Sequence, residues 1–158
     1  MSNDIFNFSA GPAVIPKTVL EKIHDGLDDF DRGMSITEVS HRSEAFKNYA
    51  QSSEDSLRSL LSINDEYSIL FLQGGATHQF ALIPMNFGTE TGSLDYLVTG
   101  AWSKKASAYA SSIANVNVVS DSSSNNFTDI SDSSTWNINN EADYFFYCAN
   151  ETVHGLEI

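Results

Sequence analysis

The segment Leu72-Gln73-Gly74-Gly75-Ala76-Thr77 holds residue types that could seat an anion. An apolar run, Tyr67 to Leu72, stops at two glycines, and a helix-forming stretch opens after them. The first amides of a helix have no intrahelical acceptor and sit at the positive end of its dipole, which suits a phosphate. Glycine lets a ligand approach the backbone closely, and the Thr77 hydroxyl adds a donor. The spacing matches neither the dinucleotide fingerprint nor the P-loop. A plain structural turn explains these residues equally well when they are taken alone.

Three further groups could join such a site. Trp102 follows Thr99-Gly100-Ala101 at the end of the next apolar run and offers a flat apolar face to an aromatic ring. Thr152, in Asn150-Glu151-Thr152, follows the run Tyr144–Cys148. His41 and Arg42 stand just before a helix start, and the Arg42 fork can bind a carboxylate or a phosphate. Each has a bland counterpart: a core tryptophan, a polar loop, a structural salt bridge. Cys148 has no local activating group and reads as a small core residue inside its strand.

The elements that would position these groups alternate in type. Leu20, Ile23, Leu27 and Phe30 form one stripe of a helix over Pro16–Phe30, with Pro16 in its first turn and Gly33 helping to stop it. A second helix runs from Ser43 to Leu61, capped by Ser43, with Phe46, Ala50, Ser53, Leu57 and Leu60 on one face. Strands are expected at Tyr67–Leu72, Asp95–Thr99, Val116–Val119 and Tyr144–Cys148. Helices are expected at Thr77–Phe87, bent or shortened by Pro84, and at Trp102–Ser112. Strand–helix alternation implies an α/β fold with a mostly parallel sheet flanked by helices. In such a sheet the strand C-termini share one edge, where ligands bind, which would bring Trp102 close to the Gly74-Gly75 turn. Residues 121–140, rich in Ser, Asn and Asp, read as a loop whose aromatics pack it down.

The totals exclude several function classes. With 21 acidic against 8 basic residues the net charge is −13, so nucleic acid and anionic lipid surfaces are poor partners. No run is long and apolar enough for a membrane span, and the N-terminus lacks the pattern of a secretory signal. The single cysteine, unable to pair within the chain, fits a reducing cytoplasm.

Taken in order, the strings NFSAGPAVIP, GMSI-x-E-x-SHRS, LFLQGGAT-x-QF, VTGAWSKK, NNFT and ADY-x-x-YC-x-NET-x-HG resemble phosphoserine aminotransferases, from Asn7 to the last residue. The resemblance implies the large domain of a fold-type-I pyridoxal-phosphate transferase, with residues 1–15 as an N-terminal arm and 16–158 as part of that domain. It implies a cytoplasmic homodimer that moves an amino group between glutamate and 3-phosphohydroxypyruvate for serine biosynthesis, and in some bacteria for pyridoxine biosynthesis. It assigns Ala76 and Thr77 to the cofactor phosphate, Trp102 to stacking on the pyridine ring, Thr152 to a contact near the ring hydroxyl, and Arg42 with His41 to substrate anions. None of Lys17, Lys22, Lys47, Lys104 and Lys105 matches the Schiff-base lysine, so no catalytic residue is assigned here and the segment alone is expected to be inactive. The alternative is a non-catalytic module that binds a phosphorylated ligand or a full-length partner. Ala10 and Thr77 stand where some relatives have serine and arginine, which bears on substrate selectivity rather than on family.

Overall fold

The computed structural model describes residues 5–158, which form two compact units that meet in sequence at Phe71 and Leu72. In the first, residues 5–16 form neither helix nor strand. Helix α1, Lys17–Asp28, starts directly after Pro16 and ends at Asp29, short of Phe30. Gly33, at φ +82°, serves the tight turn that follows and not the helix end itself. Helix α2, Glu44–Leu61, is capped as expected: the Ser43 hydroxyl accepts from the Phe46 amide at 3.2 Å. Its other end is held by Arg58, which bonds Glu54 at 2.8 Å and the carbonyls of Asn64 at 3.1 Å and Tyr67 at 3.0 Å. Phe30 meets Tyr49 edge to face at 5.3 Å.

The second unit carries the sheet. Helix α3, Ala76–Phe87, continues through Pro84 for three more residues. Then come strand β1, Leu94–Val98, helix α4, Ala101–Ser111, strand β2, Val116–Asp121, and strand β3, Tyr144–Phe146. The order is β2-β1-β3, with both pairings parallel, as the strand–helix alternation predicts. A bulge at Val119 shifts the β1–β2 register between Tyr96 and Leu97. Strand β1 is buried on both faces, which is why Leu94 to Val98 lacks a simple apolar–polar alternation. Every fully buried apolar residue among those described lies in this unit, around Leu94, Tyr96, Ala106 and Ala110.

Tyr96 stacks on Phe146 at 4.7 Å, and its hydroxyl lies 2.8 Å from that of Tyr144. Burial, then this contact, holds the Tyr96 phenol protonated far above the ordinary tyrosine range. Even Asp95, at 1% exposure, is satisfied: Asn117 Nδ2 and the Asn139 amide each donate to it at 2.8 Å.

Further expectations need correction. Tyr67–Leu72 is not a strand: it pairs with no strand among the described residues, and Leu70, Phe71 and Leu72 are exposed. An apolar run becomes a strand only when a neighbouring backbone accepts its ladder bonds. Strand β3 stops at Phe146, so Cys148 lies beyond it. Thr152 follows a two-residue strand β4, Asn150–Glu151, that pairs antiparallel with β5, Leu156–Glu157. The loop between β2 and β3 is fastened by aromatics as expected: Trp136 stacks on Phe145 at 6.1 Å, and Phe127 lies 4.6 Å from His154.

Candidate functional site

Two helices of the second unit begin with nearly the same residues, Gly75-Ala76-Thr77 and Gly100-Ala101-Trp102. Neither glycine offers a side-chain cap, so the first amides of both helices need an acceptor from elsewhere. The two are completed differently. At α4 the Trp102 amide donates to Glu151 Oε2 at 2.9 Å, the Ser103 amide to Glu151 Oε1 at 2.8 Å, and the Ala101 amide to His154 Nδ1 at 3.3 Å. Ser103 Oγ turns back to accept from the Thr99 and Gly100 amides at 2.8 and 3.1 Å. Glu151 is fully buried, and its carboxylate acts as a built-in anion for this helix. At α3 the His78 amide returns to the Gly75 carbonyl at 2.9 Å, but among the described residues the Ala76 and Thr77 amides meet no protein acceptor. A side chain at Gly75 would meet nothing within 4 Å, so the approach is open.

The open start of α3 borders a cleft of about 380 Å³ lined by Gly75, Ala76, Thr77, Phe80, Trp102, Cys148, Asn150 and Thr152. Parallel pairing of β1 and β3 explains the grouping, since Trp102 follows the C-terminal end of one and Cys148 to Thr152 that of the other. The four residues Ala76, Thr77, Trp102 and Thr152 are thus brought together. Trp102 Nε1 donates to Thr152 Oγ1 at 2.8 Å, which fixes the far end of the indole. Lys105 Nζ lies 5.9 Å from the centroid of the same ring. His41 and Arg42 belong to the first unit, where they are exposed on the turn before α2.

Cys148 borders the cleft and is not a core residue of the strand. Burial, and then the nearby Glu151 charge, pushes its thiol pKa up, so it carries a proton at neutral pH and is a poor nucleophile. Sequence reasoning missed Glu151, which passed for part of a polar loop. The available signal was Gly100 at a helix start without its own Ser, Asp or Asn cap, a position that calls for a remote acceptor. No cluster of metal-ligating side chains occurs among the described residues.

The class-V aminotransferase family model matches residues 5–158. The chain belongs to this family. This class-V aminotransferase chain is 44% identical over 158 residues to a phosphoserine aminotransferase of Xylella fastidiosa, covering 99% of the chain and 44% of that relative. It is 44% identical over 154 residues to the phosphoserine aminotransferase of Nitrosomonas europaea, covering 97% of the chain and 42% of the relative. Among solved structures it is similar to the phosphoserine aminotransferase of Bacillus circulans subsp. alkalophilus, with a TM-score of 0.89 at 35% identity over 99% of the chain and 44% of that structure. It is also similar to the PLP-bound phosphoserine aminotransferase of Trichomonas vaginalis, with a TM-score of 0.87 at 38% identity over 98% of the chain and 44% of that structure. The class-V chain therefore spans less than half the length of these relatives. The resemblance read from the motifs holds, and the α/β fold is that of the matching part of these enzymes.

Proposed function

We propose that this chain is part of a phosphoserine transaminase that moves an amino group between glutamate and 3-phosphohydroxypyruvate, giving O-phosphoserine and 2-oxoglutarate, with pyridoxal 5'-phosphate as its cofactor. The observation that carries the reading is the open α3 start beside an apolar indole wall, in a unit where the twin start at α4 is already filled by Glu151. The donor set suits a phosphorylated pyridine: two free amides, a hydroxyl and an aromatic face border one cleft.

The Ala76 and Thr77 amides hold the phosphate, assisted by the Thr77 hydroxyl and the helix dipole. Trp102 fixes the plane of the ring. Thr152 Oγ1 accepts from the indole, and its own O–H remains available to a ring oxygen. When bound, the cofactor supplies an electron sink for the substrate carbon that bears the amino group. Arg42, with His41, binds a substrate anion. The lysine that carries the cofactor is assigned to the part of the relatives that this chain does not span. The complete enzyme acts as a homodimer in the cytoplasm. No described helix is long and apolar enough to cross a membrane.

Two measurements test this. The purified 158-residue chain, given pyridoxal phosphate, glutamate and 3-phosphohydroxypyruvate, should form no phosphoserine, while the full-length protein forms it steadily; an inactive full-length protein overturns the assignment. Ala76→Pro addresses the phosphate seat directly. Proline is welcome at the first position of a helix, so the fold should stand while one amide donor disappears. Cofactor affinity should fall about tenfold with no change in melting temperature, the weight of one hydrogen bond to a charged group. Unchanged affinity would move the phosphate elsewhere.

A further inference from the structure

On the reading of the cleft as a pyridoxal-phosphate seat, we propose that Glu151 is a positioning residue that sets the Trp102 ring, and through it the plane and direction in which the cofactor lies. Trp102 is held at both ends by consecutive residues of one turn. Its backbone amide donates to Glu151 Oε2 at 2.9 Å, and its ring Nε1 donates to Thr152 Oγ1 at 2.8 Å. Helix α4 and the β4–β5 turn, about fifty residues apart in the chain, are thereby locked into one body at the residue that forms the cleft wall.

A helix start does not need this device. A Ser, Asp or Asn is the residue type that caps such a start locally. Instead Gly100 stands there, and a Cβ built on it overlaps the Glu151 carboxylate, so the missing side chain is the space that the carboxylate occupies. Glu151 is fully buried and forms no salt bridge with a Lys or Arg among the described residues; its charge is met by two amides and the helix dipole. A carboxylate removed from water in this way is costly unless both oxygens are satisfied, so it tolerates little displacement, and neither does the amide of Trp102. A second consequence follows from the same contact. With α4 already carrying an anion, α3 is the free one of the two twin starts, so a phosphorylated ring has a single orientation in the cleft.

Glu151→Gln in the full-length protein separates positioning from mere capping. Glutamine keeps the shape but sets an NH2 donor against one of the two amides. Pyridoxal phosphate should bind about tenfold more weakly, the effect of losing one bond to a charged group. The induced circular dichroism of the bound cofactor should shrink, because its ring plane is no longer fixed. Competition by inorganic phosphate at the α3 seat should stay within twofold of wild type. If Glu151→Gln folds but proves only less heat-stable, with wild-type affinity and dichroism, the positioning role is overturned. Should it fail to fold, Glu151→Asp decides: that variant keeps the charge and leaves Thr152 untouched but is too short to meet both amides, so it should lose the same dichroism, and an unaltered signal overturns the inference. A wild-type protein that takes up no cofactor overturns the cofactor reading, and this inference with it; a wild type that loads normally beside an indistinguishable Glu151→Gln overturns this inference alone.

Discussion

Alanine at position 100 should destabilise the protein by about 3 kcal/mol, a large loss for a single methyl group. Backbone conformation is not the reason, since Gly100 is extended at φ 177°, which any residue adopts. The reason is occupancy: the new Cβ would overlap Cγ, Cδ and Oε2 of Glu151. Glu151 cannot step aside without abandoning the Trp102 and Ser103 amides and leaving its charge buried and unpaired. Urea unfolding at constant m-value measures the change. A shift below about 0.5 kcal/mol, the range of ordinary surface substitutions, would show that the carboxylate has room to move. In a Glu151→Ala background the same substitution should be nearly harmless, because the two residues are coupled through one space.

Trp102→Ala should weaken cofactor binding about a hundredfold. Stacking of a pyridine ring on indole contributes about 1 kcal/mol beyond the apolar area it covers, and that area brings the total to about 2.5–3 kcal/mol. The bound-cofactor absorbance should disappear on dialysis of the full-length protein. Retention of that absorbance would remove Trp102 from the site. Trp102→Phe should fall between, keeping a ring but losing the bond to Thr152. Lys105→Gln serves as the control for the cation that lies 5.9 Å from the same ring.

Local signals in the sequence served well where the physics is local. Ser43 caps α2, the β1–α4–β2 crossover gives a parallel pair, and the glycine turn opens α3, all as expected. The meeting of Trp102 with Thr152 was legible because the parallel strands β1 and β3 place their ends on one edge, whereas Ala76 and Thr77 reach the same cleft without the strand expected before them. What stayed hidden depends on partners far along the chain. The starts at Gly75 and Gly100 are near twins in sequence, and only the arrival of Glu151 some fifty residues later distinguishes an open anion seat from a filled one. Pro84 does not shorten α3: it is buried inside the helix, which runs on to Phe87, so tertiary packing outweighs the local cost. Tyr67–Leu72 shows the converse, since β-propensity without a neighbouring ladder gives no strand.

That bare stretch has a consequence for handling the chain. Ser68 to Gln73 is a six-residue window without charge or proline, rich in Ile, Leu and Phe, and most of it faces solvent. Such a window is a template for cross-β stacking between molecules, with each copy offering the next its unused main-chain donors and acceptors. Asp65 and Glu66 just upstream, within an overall charge of −13, act as gatekeepers that keep copies apart in dilute salt. Their repulsion is screened as ionic strength rises, so low-salt buffers are the natural choice for keeping the 158-residue polypeptide dispersed.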